Sequence, residues 1–243
     1  MNIIKLDAIG STNTFLRQLS ATEAIEDFTV VTANYQIQGR GQMGTQWSSE
    51  PSKNLMVSVF KEVSHLDLES HFFISVVVSL SILQALKTFQ IKNLKVKWPN
   101  DILSENKKIG GILIENIIRQ NKLDATIIGF GINVNQTQFD HLPQASSLRL
   151  ISGRVFALEE ILQAILIKLE YYFGMLKQKQ FETLKKAYEK YLFRKNKPST
   201  FKDSDGQLFS GYIKGISDLG HLKILIEDEV VKEFDLKTVT LMY

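Results

Sequence analysis

The chain has 243 residues, 44% hydrophobic and 23% charged, a balance ordinary for a globular protein and enough for one large domain or a larger and a smaller one. A net charge of +3 gives no basis for nucleic-acid binding, and the absence of cysteine excludes disulfides, thiolate catalysis and cysteine-held metals. It also fits a reducing compartment, so a cytoplasmic location is expected; Met1 to Asp7 lack the charged-then-apolar layout of a signal peptide.

In chain order, Ser11-Thr12-Asn13 is placed to cap a helix carrying Phe15, Leu16 and Leu19 at helical spacing. Phe28 to Ala33 and Leu55 to Phe60 read as strands. Between them runs a loop of roughly twenty residues, longer than structureless connections usually are unless they serve a function. Ser70 to Leu86 carries no Lys, Arg, Asp or Glu but does contain His71, Ser75, Ser79, Ser81 and Gln84. It reads as part of a buried core helix near residues 68–89, not as a membrane span.

Leu94 to Lys97 is a short strand stopped by Trp98-Pro99-Asn100-Asp101. Ile109 to Ile118 and Ala125 to Val134 read as paired strands. Residues 157–178 and 180–194 have helical spacing, with Leu158, Ile161, Leu162, Ile165, Leu166 and Leu169 facing inward. After about residue 196 the pattern turns to hairpins at Asp205-Gly206 and Leu219-Gly220, with strands at Leu208 to Ile216, Leu222 to Ile226 and Val230 to Phe234. A boundary near Lys195 is expected: an α+β domain with a mixed sheet over residues 1–195, then a small β-barrel over 196–243.

The long loop holds the densest signal. Gly39-Arg40-Gly41-Gln42-Met43-Gly44-Thr45-Gln46-Trp47 combines close backbone approach, a planar fork of donors and a broad aromatic face. That set suits an anionic ligand with an aromatic part; a plain turn is the alternative. The literal Gly-x-Gly-x-x-Gly is no dinucleotide fingerprint, because no helix follows it. No Walker-type Gly-Lys-Ser/Thr occurs. Asn100-Asp101 fits a strand-edge site or an Asx turn. Lys107-Lys108-Ile109-Gly110-Gly111 fits an anion site or a solvated hairpin end. Gly129-x-Gly131 at a strand end signals close approach by a ligand or another backbone, or a bulge, and Asn133 beyond it could read a polar ring edge.

Taken together and in order, Ser11-Thr12-Asn13, Gln36 with Gly39-Arg40-Gly41 and Trp47, Lys97-Trp98-Pro99-Asn100-Asp101, Lys108 with Gly110-Gly111-Ile112-Leu113-Ile114-Glu115, and Gly129-x-Gly131-Ile132-Asn133 resemble the biotin protein ligase family. The resemblance covers roughly residues 1–135, and the terminal barrel matches that family's SH3-like domain. It implies a two-step reaction: biotin and MgATP give biotinyl-5′-AMP and pyrophosphate, and a lysine of a biotin carboxyl carrier domain then displaces AMP.

The residue types suit that chemistry. Ser11, Thr12, Asn13 and Gln36 offer hydroxyl and amide partners for a ureido ring. Gly39, Arg40, Gly41, Lys108 and Gly111 complete the expected biotin site. Arg40 and Lys108 offset charge at the α-phosphate. Trp47 is placed to stack on adenine, and Gln42, Asn100, Lys108 and Asn133 to contact the nucleotide. The expected catalytic set is Lys108, Arg40 and Asp101, where Asp101 either holds Mg²⁺ or orients the acceptor lysine.

Many relatives carry further arginines after Gly-Arg-Gly, where this chain has Gln42, Met43 and Thr45; a looser hold on the adenylate is expected. The free loop is expected to order on binding. Ser11 lies too near the start for a preceding helix-turn-helix, which implies a ligase without a repressor role. His65, His71, His141 and His221 show no zinc spacing, and Ser11 has no evident triad partners. The basic run Lys177, Lys179, Lys185, Lys186, Lys190, Arg194, Lys195 and Lys197 reads as a solvated face or a dock for an acidic carrier. Expected partners are the carrier domain alone, without nucleic acid or membrane, for a monomer or homodimer. The rival readings are lipoate or octanoate attachment, whose enzymes favour an Arg-Arg-x-x-Gly-Gly-Gly type loop, and a non-catalytic biotin-binding module.

Overall fold

The computed structural model describes residues 2–140, 142–236 and 238–242. Alternation of apolar and polar residues starts at once. Ile3–Ile9 forms β1, an edge strand in addition to the expected elements. It pairs parallel with β2 (Val30–Gln36), which runs antiparallel to β3 (Leu55–Glu62). The longest strands are β6 (Lys107–Arg119) and β7 (Lys122–Ile132), and β7 closes onto β3. β4 (Leu94–Lys97) and β5 (Asp101–Ser104) complete a seven-stranded mixed sheet of order β1-β2-β3-β7-β6-β5-β4.

The period of two along these strands gives the sheet two different faces. Val57, Val59, Ile112, Ile128, Phe130 and Ile132 pack into the main core with α2 (Phe72–Thr88) and α4 (Leu158–Lys177). α2 is predominantly apolar on every side, as suits a helix buried over most of its length. Leu68–Thr88 has the length and composition to cross a membrane, yet two-thirds of its apolar window (67%) is buried inside this fold. The opposite face is thinner. Val31, Phe60, Ala125 and Ile127 pack there under Leu16 of α1 (Thr12–Thr22), while Ser58, Gly129, Gly131, Gly111 and Glu115 share that face without bulky apolar side chains. A shallow floor is left beside α1.

α3 (Leu148–Ser152) and α5 (Phe181–Glu189) lead to a five-stranded antiparallel sheet. Its strands are β8 (Pro198–Asp203), β9 (Leu208–Ile216), β10 (Leu222–Leu225), β11 (Val231–Phe234) and β12 (Val239–Met242), in order β11-β10-β9-β8-β12. Trp98 ties this sheet to the first: its indole Nε1 donates to the Gly220 carbonyl at 2.9 Å.

Candidate active site

The bare part of the floor opens into a cavity of about 460 Å³, within the range of small-molecule sites. Its lining includes Ser11, Thr12, Asn13, Gln36, Arg40, Gly41, Gln42, Trp47, Asn100, Asp101, Lys108 and Gly111. Lys97 joins them from β4, and Leu236, Val239, Thr240 and Leu241 close one side from the C-terminal sheet. Two expected site residues stand outside the lining. Gly39 is packed against the Trp47 carbonyl, and a side chain there would overlap it. Asn133 is buried; its amide donates to the Ser146 carbonyl at 3.0 Å and its backbone carbonyl accepts from Leu148 N–H. It holds the chain after β7 and does not face the cavity.

One end of the cavity is a network of hydroxyls and amides. Ser11 is the N-cap of α1 by backbone conformation, but its hydroxyl makes no capping bond. Thr12 donates to Gln36 Oε1 from both its backbone N–H (2.7 Å) and its Oγ1 (3.0 Å). The Ser58 hydroxyl lies 2.8 Å from Thr12 Oγ1 and 2.5 Å from Asn13 Oδ1. Gly129 makes room for this arrangement, since a methyl group there would overlap the Asn13 amide.

The other end is charged. Asp101 accepts from Lys108 Nζ at 2.5 Å and lies 3.7 Å from Lys97 Nζ. The turn before it is fixed by Asn100, whose Nδ2 donates to the Ile112 carbonyl at 2.8 Å. Burial holds the Lys97 ammonium below the usual lysine range; the Asp101 carboxylate opposes that shift and the Lys108 charge adds to it.

The glycine loop covers the cavity as a small hairpin. Gly41 N–H donates to the Thr45 carbonyl at 2.7 Å, Trp47 N–H to the Gly39 carbonyl at 2.9 Å, and Arg40 bridges Gln46. Met43 (φ 55°) and Gly44 (φ 78°) make the reversal. Trp47 folds back over Gly111 and Gly131, which face each other across β6 and β7. Its Nε1 is buried without a hydrogen-bond partner, an orphan donor at the cavity edge. Arg40 Nη2 reaches both oxygens of Glu115 at 3.1 Å, a residue to which the sequence reading assigned no role.

Among the described residues no group of three or more His, Asp or Glu is placed to hold a metal, and His141 lies outside them. In the basic run, Lys185 pairs with Asp218 and Lys195 with Glu189, while Lys177, Lys179, Lys186, Lys190 and Lys197 are exposed.

Comparison with known proteins gives a consistent set of similarities. The biotin/lipoate A/B protein ligase family matches residues 6–133, more than half of the chain. The bifunctional ligase/repressor BirA of Bacillus spizizenii is 29% identical over 236 residues, covering 95% of this chain and 71% of that protein. The biotin–[acetyl-CoA-carboxylase] ligase of Mycobacterium tuberculosis is 31% identical over 142 residues, 57% of this chain and 52% of that one. Among solved structures, the biotin protein ligase of Aquifex aeolicus in complex with biotin and ATP superposes with a TM-score of 0.83 at 27% identity, covering 99% and 98% of the two chains.

Proposed function

The chain belongs to the biotin/lipoate A/B protein ligase family, and we infer from its cavity that it is an ATP-dependent biotin–protein ligase. One observation carries the inference: a hydroxyl-and-amide end and a lysine–aspartate end share one cavity, under a tryptophan with an unused donor. A ureido ring has one carbonyl acceptor and two N–H donors, which Ser11, Thr12, Asn13 and Gln36 complement. A dithiolane or an alkyl chain would leave the Ser11 hydroxyl and the Gln36 amide nitrogen facing carbon and sulfur, at a cost of unmade hydrogen bonds. The cavity therefore favours biotin over lipoate or octanoate.

In the first step the biotin carboxylate oxygen attacks the α-phosphorus of ATP; the new P–O bond forms as the bond to pyrophosphate breaks. Negative charge accumulates on the α-phosphate. Lys97, Lys108 and Arg40 against Asp101 and Glu115 leave one net positive charge to meet it, held in place before the reaction. In the second step the lysine amine of a biotin carboxyl carrier domain attacks the acyl carbon, and AMP leaves with the anhydride electrons.

Asp101 does not fit a resident magnesium ion. Both its oxygens face ammonium groups, and among the described residues it belongs to no group of three or more metal-ligating side chains. Magnesium enters on the phosphates as part of the MgATP substrate. Asp101 is better assigned to holding Lys108 and Lys97 at their positions.

Biotin-dependent exchange of labelled pyrophosphate into ATP tests the reading, with lipoate and octanoate run separately. Exchange with biotin alone is expected. Exchange with lipoate or octanoate would transfer the chain to that branch of the family, and binding of biotin without any exchange would make it a non-catalytic module.

The lowered Lys97 pKa adds a pH dependence. As pH rises, Lys97 loses its charge before an ordinary lysine does, so KM for ATP should climb on the alkaline side, below the usual lysine range. Unfolding is not the cause, by sign: a depressed ammonium penalises the folded state at low pH, and that penalty disappears as pH rises through its pKa. K97R stays charged and should extend the plateau to higher pH. Superimposable alkaline limbs for K97R and the parent would remove Lys97 from nucleotide binding.

A further inference from the structure

We propose that Glu115 is a positioning residue that joins the glycine loop to the polar end of the cavity. It rests on the ligase reading for its consequence, but not for its geometry. Glu115 sits on β6, on the same sheet face as Gly111, with 18% of its side chain exposed. Arg40 Nη2 meets both its oxygens at 3.1 Å. Asn13 Nδ2 donates to Oε2 at 2.8 Å. Beyond Asn13 lie Ser58, Thr12 and Gln36, already bonded to one another. One carboxylate thus links the loop's only fixed positive charge to the residues expected to grip the ureido ring.

The charge balance fits positioning rather than ligand contact. A guanidinium carries five N–H donors, and this contact engages one nitrogen, so Nε and Nη1 of Arg40 remain for an anion in the cavity. Glu115 fixes where the fork points without consuming it. A carboxylate free to face the cavity would repel the phosphates; held between Arg40 and Asn13, it is neutralised. Since Arg40 is the only cation in Gly39 to Trp47, its aim matters more.

Half-exposed ion pairs contribute about 1 kcal/mol, roughly five-fold in an equilibrium, so the effect belongs to loop closure and not to global stability. The test uses the full chain carrying E115Q, R40A or both. Amide hydrogen exchange across residues 39–47 is measured without ligand, and release of biotinyl-5′-AMP formed in place is measured with it. E115Q should speed both by roughly five-fold at an unchanged melting temperature; R40A should speed loop exchange by the same factor and adenylate release by more, since its own contact to the anion is lost as well; and the double variant should add little to R40A in either readout. Unchanged or slower loop exchange in E115Q, or effects that multiply in the double variant, would overturn the proposal. R40A probes the pair without touching the sheet, so unaltered loop exchange in R40A refutes it even if E115Q folds poorly. The ligand-free exchange decides the matter even if biotin proves not to be the acid activated.

Discussion

Lys108→Ala should lower biotin-dependent pyrophosphate exchange by about 10²–10³-fold while changing biotin affinity only a few-fold. The argument is geometric. Lys108 Nζ is fixed by Asp101 at 2.5 Å and stands 6.0 Å from the centre of the Trp47 ring. It is therefore at the charged end of the cavity, away from the hydroxyls and amides that suit the ureido ring. Its attraction to a neutral ring is small, and its attraction to a carboxylate is present before reaction begins. What grows during the reaction is the charge on the α-phosphate, and an immobilised ammonium in a partly dry site gains most from that growth. Kinetics and calorimetry on the same variant separate the two effects. Equal losses in affinity and in rate would recast Lys108 as a ground-state contact.

How far the site could be read in the sequence depends on the kind of signal. The α2 helix and the strands β3, β6 and β7 announce themselves through local periodicity, and their expected ranges differ from the observed ones by a few residues. β1 alternates as well, and could have been assigned from Ile4, Leu6 and Ala8 against Lys5 and Asp7. β5 was hidden because Asn100-Asp101 reads as a turn, whereas the turn ends at Asn100 and Asp101 begins a four-residue strand. β8 and β12 pair with each other across about forty residues of chain, a register that no local pattern encodes.

The same limits apply to individual side chains. The glycine pattern at Gly129 and Gly131 points to close approach by a ligand or another backbone, or to a bulge; the groups that come close are instead the side chains of Asn13 and Trp47. Asn133 lies just past the end of β7, where the two-residue alternation no longer tells which way a side chain points, and it turned to the Ser146 carbonyl. Glu115 carried a legible signal: an acid in an apolar strand, four residues from Gly111 and hence on the same face. Its partner could not be inferred, because Arg40 arrives from a loop seventy-five positions away.

Gly131→Ala should strongly weaken closure of the glycine loop without unfolding the protein. Gly131 and Gly111 face each other across β7 and β6 and form a flat strip on which the Trp47 ring rests. A methyl group on residue 131 would stand 2.5 Å from Trp47 Cε2 and 2.7 Å from Cζ2. The indole cannot bend, and its backbone is bonded to Gly39 across the loop hairpin, so the loop must lift as a unit. Overpacking of this kind costs about 1–3 kcal/mol when it cannot be relieved, or roughly five- to 150-fold in closure. The strand itself tolerates alanine, so the melting temperature should stay near that of the parent. Gly111→Ala supplies the internal comparison. Its methyl would meet Trp47 Cζ3 at 3.3 Å, a contact that a shift of a few tenths of an ångström relieves, so its effect should be several-fold smaller. Acrylamide quenching reads the ring directly, because the other tryptophan, Trp98, is buried and bonded to Gly220. Quenching and adenylate release should both rise in the order parent, Gly111→Ala, Gly131→Ala. Equal behaviour of the two variants would mean that Trp47 does not close the cavity by resting on this strip.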